Sequence, residues 1–164
     1  MKKPIKIDRL NRKILTVLHN NADMSNVDLA ERVGLSQSAC FARRKALKDE
    51  GYLVRYVTEM DLDRLCHNVQ AYVEVTLSEN GPAERRKFEA HVNRLPEFMD
   101  CLRVSGDVDY ISLVCCSDVE ALNRLCDGLS DAGLAIKHIA TRVVLDRPKW
   151  TTGYPLEKLE WKRG

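Results

Sequence analysis

The 164-residue sequence has no long apolar run. Its most apolar stretch, YISLVCC (110–116), is the length of one strand, far short of the ~20 residues that a bilayer-spanning helix needs. The opening MKKPIKIDRLNRK is basic but no apolar core follows it, so it does not read as a secretory signal. The chain is therefore expected in the cytoplasm, with no membrane partner. The six cysteines (40, 66, 101, 115, 116, 126) contain no C-x-x-C pair, and the four histidines (19, 67, 91, 138) no H-x-x-x-H pair. Those spacings are the ones that hold zinc or run thiol exchange, so no metal and no cofactor is expected, and the thiols read as reduced side chains. A Cys–His pair could be drawn through Cys101 or Cys126, but nothing in the sequence would orient it, and no enzymatic activity is expected. Internal repeats and low-complexity tracts are also missing.

What is present is a soluble globular composition, 30% charged and 45% hydrophobic, with a lopsided charge. Residues 1–60 carry 12 Lys/Arg against 7 Asp/Glu, and residues 61–164 carry 14 against 17. A basic first third followed by an acidic remainder points to two units with different partners, the first being the side that would meet nucleic acid.

The basic part has helical signals. Leu10, Ile14, Val17 and Leu18 form one apolar stripe, with Asp8 in front as an N-cap. NNAD (20–23) interrupts the pattern. Ser25 opens a second helix with Asp28 three residues on, as in a capping box, Leu29, Ala30 and Val33 form its inner side, and Gly34 stops it. Leu35 alone separates that stop from the next cap, Ser36, so two helices must cross sharply, as in a helix-turn-helix. The third helix, with Cys40 inward, runs to Glu50 before Gly51. Its first turn, SQSA, is small and polar and suits close approach to base edges in a major groove. Backbone N–H groups at Ser36–Ser38 can donate to phosphate. The residues expected to face double-stranded DNA are Ser36, Gln37, Ser38, Phe41, Ala42, Arg43, Lys45 and Lys48.

In the second part, VQAYVEVTL (69–77) alternates strictly, which is the pattern of a half-buried strand. NGP (80–82) is a loop, and a helix starting at Pro82 or Ala83 turns Phe88, Val92 and Leu95 inward until Pro96. FMDCLRVS reads as a strand, GD (106–107) as a tight hairpin turn and YISLVCC as the return strand. Ser117 is expected to cap a helix carrying Val119, Leu122, Cys126 and Leu129, which stops at Gly133, and IKHIATRVVL is a last strand. The order β-α-β-β-α-β is that of a ferredoxin-like, split βαβ domain, with helices on one sheet face and the other face in need of cover, hence self-association. The fold class is thus α+β, with a helix-turn-helix domain over 1–53, an extended linker over 54–66 and a ferredoxin-like domain over 67–164.

Five motifs in this order, IDRLNRKIL (7–15), SNVDLAERVGLSQSACFARRKAL (25–47), EGYLVRY (50–56), LPEFMDCLRVSGDVDY (95–110) and KWTTGYPL (149–156), resemble the Lrp/AsnC, or feast/famine, family. The resemblance covers roughly residues 7–156. It implies a winged helix-turn-helix followed by a ferredoxin-like domain for dimerisation and effector binding, and a homodimer that assembles further, often to an octamer. It also implies a transcriptional regulator of amino-acid metabolism whose DNA affinity or assembly responds to an amino acid. Arg44 stands where that family commonly has an apolar residue, Cys66 stands in place of a usual glycine, and SDAGLAIKH lacks the familiar proline before Gly133.

The effector is expected around SGDVDY: Ser105, Gly106, Asp107, Val108 and Asp109. Gly106 would let a ligand approach the backbone, neighbouring N–H groups could hold an α-carboxylate, and Asp107 and Asp109 could hold an α-ammonium. Through the resemblance this hairpin lies at a dimer–dimer contact, and Thr141 matches a small hydroxyl position facing it. Two other readings are compatible with the fold: a ligand-independent architectural protein that wraps DNA, and a haem-pathway decarboxylase of the same fold combination, for which the second part offers only the unclustered His91 and His138.

Overall fold

The computed structural model describes residues 5–150 and 153–162. Thr151 and Thr152 of the KWTTGYPL motif and the basic start Met1–Pro4 lie outside the described residues. The chain forms two compact units, one running to Glu59 and taking in the segment from Lys149 onward, the other Met60–Pro148.

The first unit holds α1 (Arg9–Asn20), α2 (Asn26–Val33) and α3 (Gln37–Asp49). Each begins where a side chain takes up an orphan N–H: Asp8 accepts from Asn11, Ser25 from Asp28, and Ser36 from Ala39. The Ser25 hydroxyl also donates to the Asp28 carboxylate at 2.7 Å, so the two residues are paired through the hydroxyl in both directions. Gly34 has φ +76°, and its left-handed turn lets the N–H groups of Gly34 and Leu35 both donate to the Ala30 carbonyl. Ile14, Leu18, Met24, Leu29, Ala30, Val33, Cys40 and Leu47 form the core. Burying each of the larger side chains contributes about 1.5–3 kcal/mol.

The segment after Lys149 was expected in the ferredoxin-like domain, yet it groups with the first unit. The Tyr154 ring stacks on His19 with centroids 5.4 Å apart, the Tyr154 N–H donates to His19 Nε2, and the Arg12 guanidinium lies 5.4 Å from the centre of the Trp161 ring. A single 3-10 turn, Leu156–Lys158, lies between those anchors. Aromatic docking of this kind leaves no periodic trace in a sequence.

The second unit opens with a short helix, α4 (Leu62–Leu65), inside what was expected to be an extended linker; the Asp61 carboxylate caps it by accepting from the Arg64 N–H. Then come β1 (Val69–Leu77), α5 (Pro82–Val92), β2 (Leu102–Arg103), β3 (Tyr110–Cys116), α6 (Val119–Asp131) and β4 (Ile136–Val143). The sheet is antiparallel in the order β2-β3-β1-β4, the split βαβ arrangement. Alternation in β1 sends Ala71, Val73, Val75 and Leu77 into a core with Phe88 and Val92 of α5, Leu122 and Leu129 of α6, and Tyr110 and Val114 of β3. Tyr110 is buried, and its hydroxyl donates to Glu89 at 2.8 Å, which satisfies its one polar atom. On the other face Glu74 and Arg142 form a two-bonded ion pair at 2.7 and 3.1 Å, and Tyr72 is exposed.

Three local expectations need correction here. FMDCLRVS is not a full strand: only Leu102–Arg103 pair with β3, Phe98 makes one isolated bridge to Val114, and the Asp100 carboxylate accepts from the Leu113 N–H at 2.7 Å in place of a backbone partner. GD is not a tight turn, since residues 104–109 form a longer loop between β2 and β3. Asp118, not Ser117, caps α6; its carboxylate accepts from the Ala121 N–H, while the Ser117 hydroxyl donates to it and orients it.

Candidate functional site

The sharp α2–α3 crossing follows from the core. Cys40 and Leu47 point inward from α3, and the Asn26 amide donates to the Gln37 carbonyl at 3.0 Å, pinning the start of α3 to α2. With 3.6 residues per turn, a buried Cys40–Leu47 side directs Gln37, Ser38, Phe41, Ala42, Lys45 and Lys48 into one arc of about 140° on the opposite side. All six are exposed, and Phe41 is 59% accessible. Ser36 sits at the N-terminus as the cap, 3.3 Å from the Ser38 hydroxyl. Lys45 pairs with Asp49 one turn on, an exposed pair worth about 0.3–0.5 kcal/mol that a phosphate can displace.

Arg43 is different. It is half-buried, and its guanidinium donates to Asp8 at 2.8 Å and to the Asn11 side-chain carbonyl at 3.0 Å. Asn11 is itself buried, with its amide on the Lys6 carbonyl at 2.7 Å. The Asp8 carboxyl lies below its ordinary 3.8, chiefly through the Asn11 N–H, with burial opposing and Arg43 adding to the lowering. Arg43 thus ties α3 to the start of α1, with its guanidinium already paired. Sequence reasoning missed this triad; the one available signal was the polar Asn11 beside an otherwise apolar stripe. Arg44, the unusual residue of the motif, is half-buried with its guanidinium 5.5 Å from the centre of the Tyr56 ring.

The loop expected to hold an effector has Gly106 at φ +120°, a conformation only glycine adopts freely, with Ser105, Gly106 and Asp107 exposed and Val108 half-buried. Its second acid is already committed. The Asp109 carboxylate accepts from the Leu77 N–H at 2.7 Å and from the Asn80 amide, and so closes the end of β1. Asp107 contributes its carbonyl to the Thr76 hydroxyl and leaves its side chain to solvent. Thr141 pairs with Val73 on β4, on the helix-side face at the far edge of the sheet, whereas Thr76 points to the opposite face. One chain therefore does not bring Thr141 and SGDVDY together.

Burial raises the Cys40, Cys101, Cys115, Cys116 and Cys126 thiols, which keeps them protonated and poorly nucleophilic. All six cysteines are free, and the described residues contain no cluster of three metal-ligating side chains. No helix among the described residues is long and apolar enough to cross a membrane. A cleft of about 230 Å³ between α1 and the C-terminal segment, lined by Thr16, His19, Tyr154, Leu156 and Glu157 among others, had no counterpart in the sequence reading.

Residues 7–54 match the model of a winged helix-turn-helix DNA-binding domain, and residues 70–154 that of the Lrp/AsnC ligand binding domain. The chain is 35% identical over 119 residues to the leucine-responsive regulatory protein of Salmonella typhimurium, covering 73% of each. Among solved structures, it is similar to an AsnC family transcriptional regulator from Agrobacterium tumefaciens, at 29% identity and a TM-score of 0.81, covering 93% of this chain and 99% of that one. It is also similar to a Neisseria meningitidis transcriptional regulator in complex with L-Met, at 30% identity and a TM-score of 0.80, covering 91% and 96%.

Proposed function

The chain belongs to the Lrp/AsnC family of DNA-binding transcriptional regulators, and from that premise we propose that α3 reads a specific duplex sequence while the ferredoxin-like unit binds an amino acid that changes DNA affinity or assembly. The observation that carries the DNA half is the exposed face of α3, where Gln37, Ser38, Phe41, Ala42, Lys45 and Lys48 lie together, left exposed by the described residues of the unit. Small Ser38 and Ala42 let the helix seat deeply, Gln37 offers a donor and an acceptor to a base edge, and the lysines meet phosphates. Ser36 and the free N–H groups beside it suit a phosphate at the helix start. Arg43 serves the interface indirectly, by fixing the angle of α3 on α1.

The amino-acid half is supported by the L-Met complex of the Neisseria meningitidis relative and by the open backbone at Gly106. With Asp109 occupied, Asp107 is the acid left to meet an α-ammonium, and Ser105 and the loop N–H groups are available to a carboxylate. A site that also used Thr141 would need a second copy of the chain, which fits an effector that acts on assembly. Among the described residues β4 ends the sheet with one edge unpaired, and Tyr72 and Arg142 are exposed on the face away from the helices, so a homodimer that builds towards an octamer is the assembly proposed. The protein acts where its DNA is, in the cytoplasm, as a regulator and not as an enzyme.

The test is a thermal-shift screen of the common amino acids on the full chain. A ligand at about 100 times its dissociation constant stabilises by roughly 2.7 kcal/mol, a readily measured shift. No shift with any of them would refute the effector half and favour ligand-independent DNA wrapping.

A further inference from the structure

We infer that Phe41 is a specificity-determining residue of α3, and that what it recognises is the C5-methyl group of a thymine. This rests on the DNA-reading role proposed above and adds to it the chemistry of one contact. Phe41 is 59% exposed, yet it belongs to the unit that buries Ile14, Leu29 and Leu47 completely. Its ring therefore contributes little to that core, and on a free surface it costs solubility. Its placement on the helix is specific. Phe41 and Lys45 are one turn apart, as are Ser38 and Ala42, and all four share the exposed side opposite Cys40 and Leu47. The two small residues allow the α3 backbone close to a groove floor, and the longer Phe41 ring then meets whatever stands at the edge of the bases. The lysines beside it, Lys45 and Lys48, are 64% side-chain exposed and exposed respectively, so the patch is an apolar ring set among cations. That charge complements phosphate and argues against a basic protein partner. In the major groove each base presents hydrogen-bonding groups, and thymine alone adds a methyl group; a phenyl ring has no donor or acceptor to offer the others.

The experiment uses the full-length protein and a random duplex library. Sequences enriched over several rounds of selection give a duplex probe, in which each thymine is then replaced singly by deoxyuridine, removing only the methyl group. Dissociation constants are measured at one fixed salt concentration for the wild type, Phe41→Ala and Phe41→Leu. The expected result is one thymine position, repeated in a symmetric site, where deoxyuridine weakens wild-type binding by about fourfold, the worth of one buried methyl. The same replacement has no effect in Phe41→Ala and a retained effect in Phe41→Leu, which keeps an apolar contact. Library selection with Phe41→Ala loses its preference at that position alone. No enriched sequence from the wild type would overturn sequence-specific reading itself, and this inference with it. An enriched sequence whose thymines can all be replaced without loss overturns the Phe41 assignment alone, as does an equal loss in Phe41→Ala.

Discussion

Removing Arg43 separates two roles that a basic residue on a recognition helix can have. In Arg43→Ala the Asn11 carbonyl, inside a residue that is 1% exposed, loses its donor. A buried acceptor left unpaired costs about 1–3 kcal/mol. The lost pair with Asp8 adds little, because the two side chains are 32% and 38% exposed and such pairs are worth about 0–1 kcal/mol. For a chain of this length each kcal/mol moves Tm by about 2–4 °C, so scanning calorimetry should find a fall of about 2–12 °C. DNA affinity measured against salt should keep its slope in this variant, since Arg43 faces Asp8 and Asn11 and neutralises no phosphate; Lys45→Ala should flatten the slope by about 0.9. The pH dependence has a definite sign. The Asp8 carboxyl is depressed in the folded state, so its contribution is complete above the ordinary value of 3.8 and is lost as pH falls through the lower folded value. The Asn11 N–H, the larger cause, remains in Arg43→Ala, so the stability gap between wild type and that variant should be constant near neutrality and narrow below about pH 4 only by the share that Arg43 supplies. A variant with unchanged Tm and a slope reduced by one would refute the reasoning and return Arg43 to the DNA surface.

Asp109→Ala should lower the free energy of urea unfolding with no amino acid present by about 1–3 kcal/mol, because the Leu77 N–H and the Asn80 amide lose their acceptor; equal stability would show that the carboxylate is free for a ligand. Asp118→Ala should lower stability in the same assay as a lost helix cap, with Ser117→Ala lowering it less; the reverse order would move the cap back to Ser117. Sedimentation of the full chain at micromolar concentration should give a dimer or larger species, and a monomer would contradict self-association through the sheet.

The three helices of the first unit and the alternation of β1 were legible because their signals are local. A cap and the N–H it accepts are three residues apart, the stripe of Leu10, Ile14, Val17 and Leu18 repeats within two turns, and Gly34 is needed at its own φ of +76°. The same locality made the exposed face of α3 readable once Cys40 was placed inward. Apart from the cap of α6, which moved by one residue, the reading of polar and aromatic partners failed where the deciding partner lay far along the chain. Arg43 is 32 and 35 residues from Asn11 and Asp8, Asp109 is 32 from Leu77, and Tyr154 is 135 from His19. A charge or a ring in a sequence carries no mark of which distant group will satisfy it, so the same aspartate can be read as a ligand or as a strand bracket. Even the short β2 follows this rule: FMDCLRVS has strand-like composition, but pairing is a property of two segments, and the Asp100 carboxylate takes a backbone partner's place beside β3. Sequence alone determined the main helices and strands, their order and the family. Tertiary structure decided which polar groups remain free to act, because burial and pairing are settled only when the chain closes on itself.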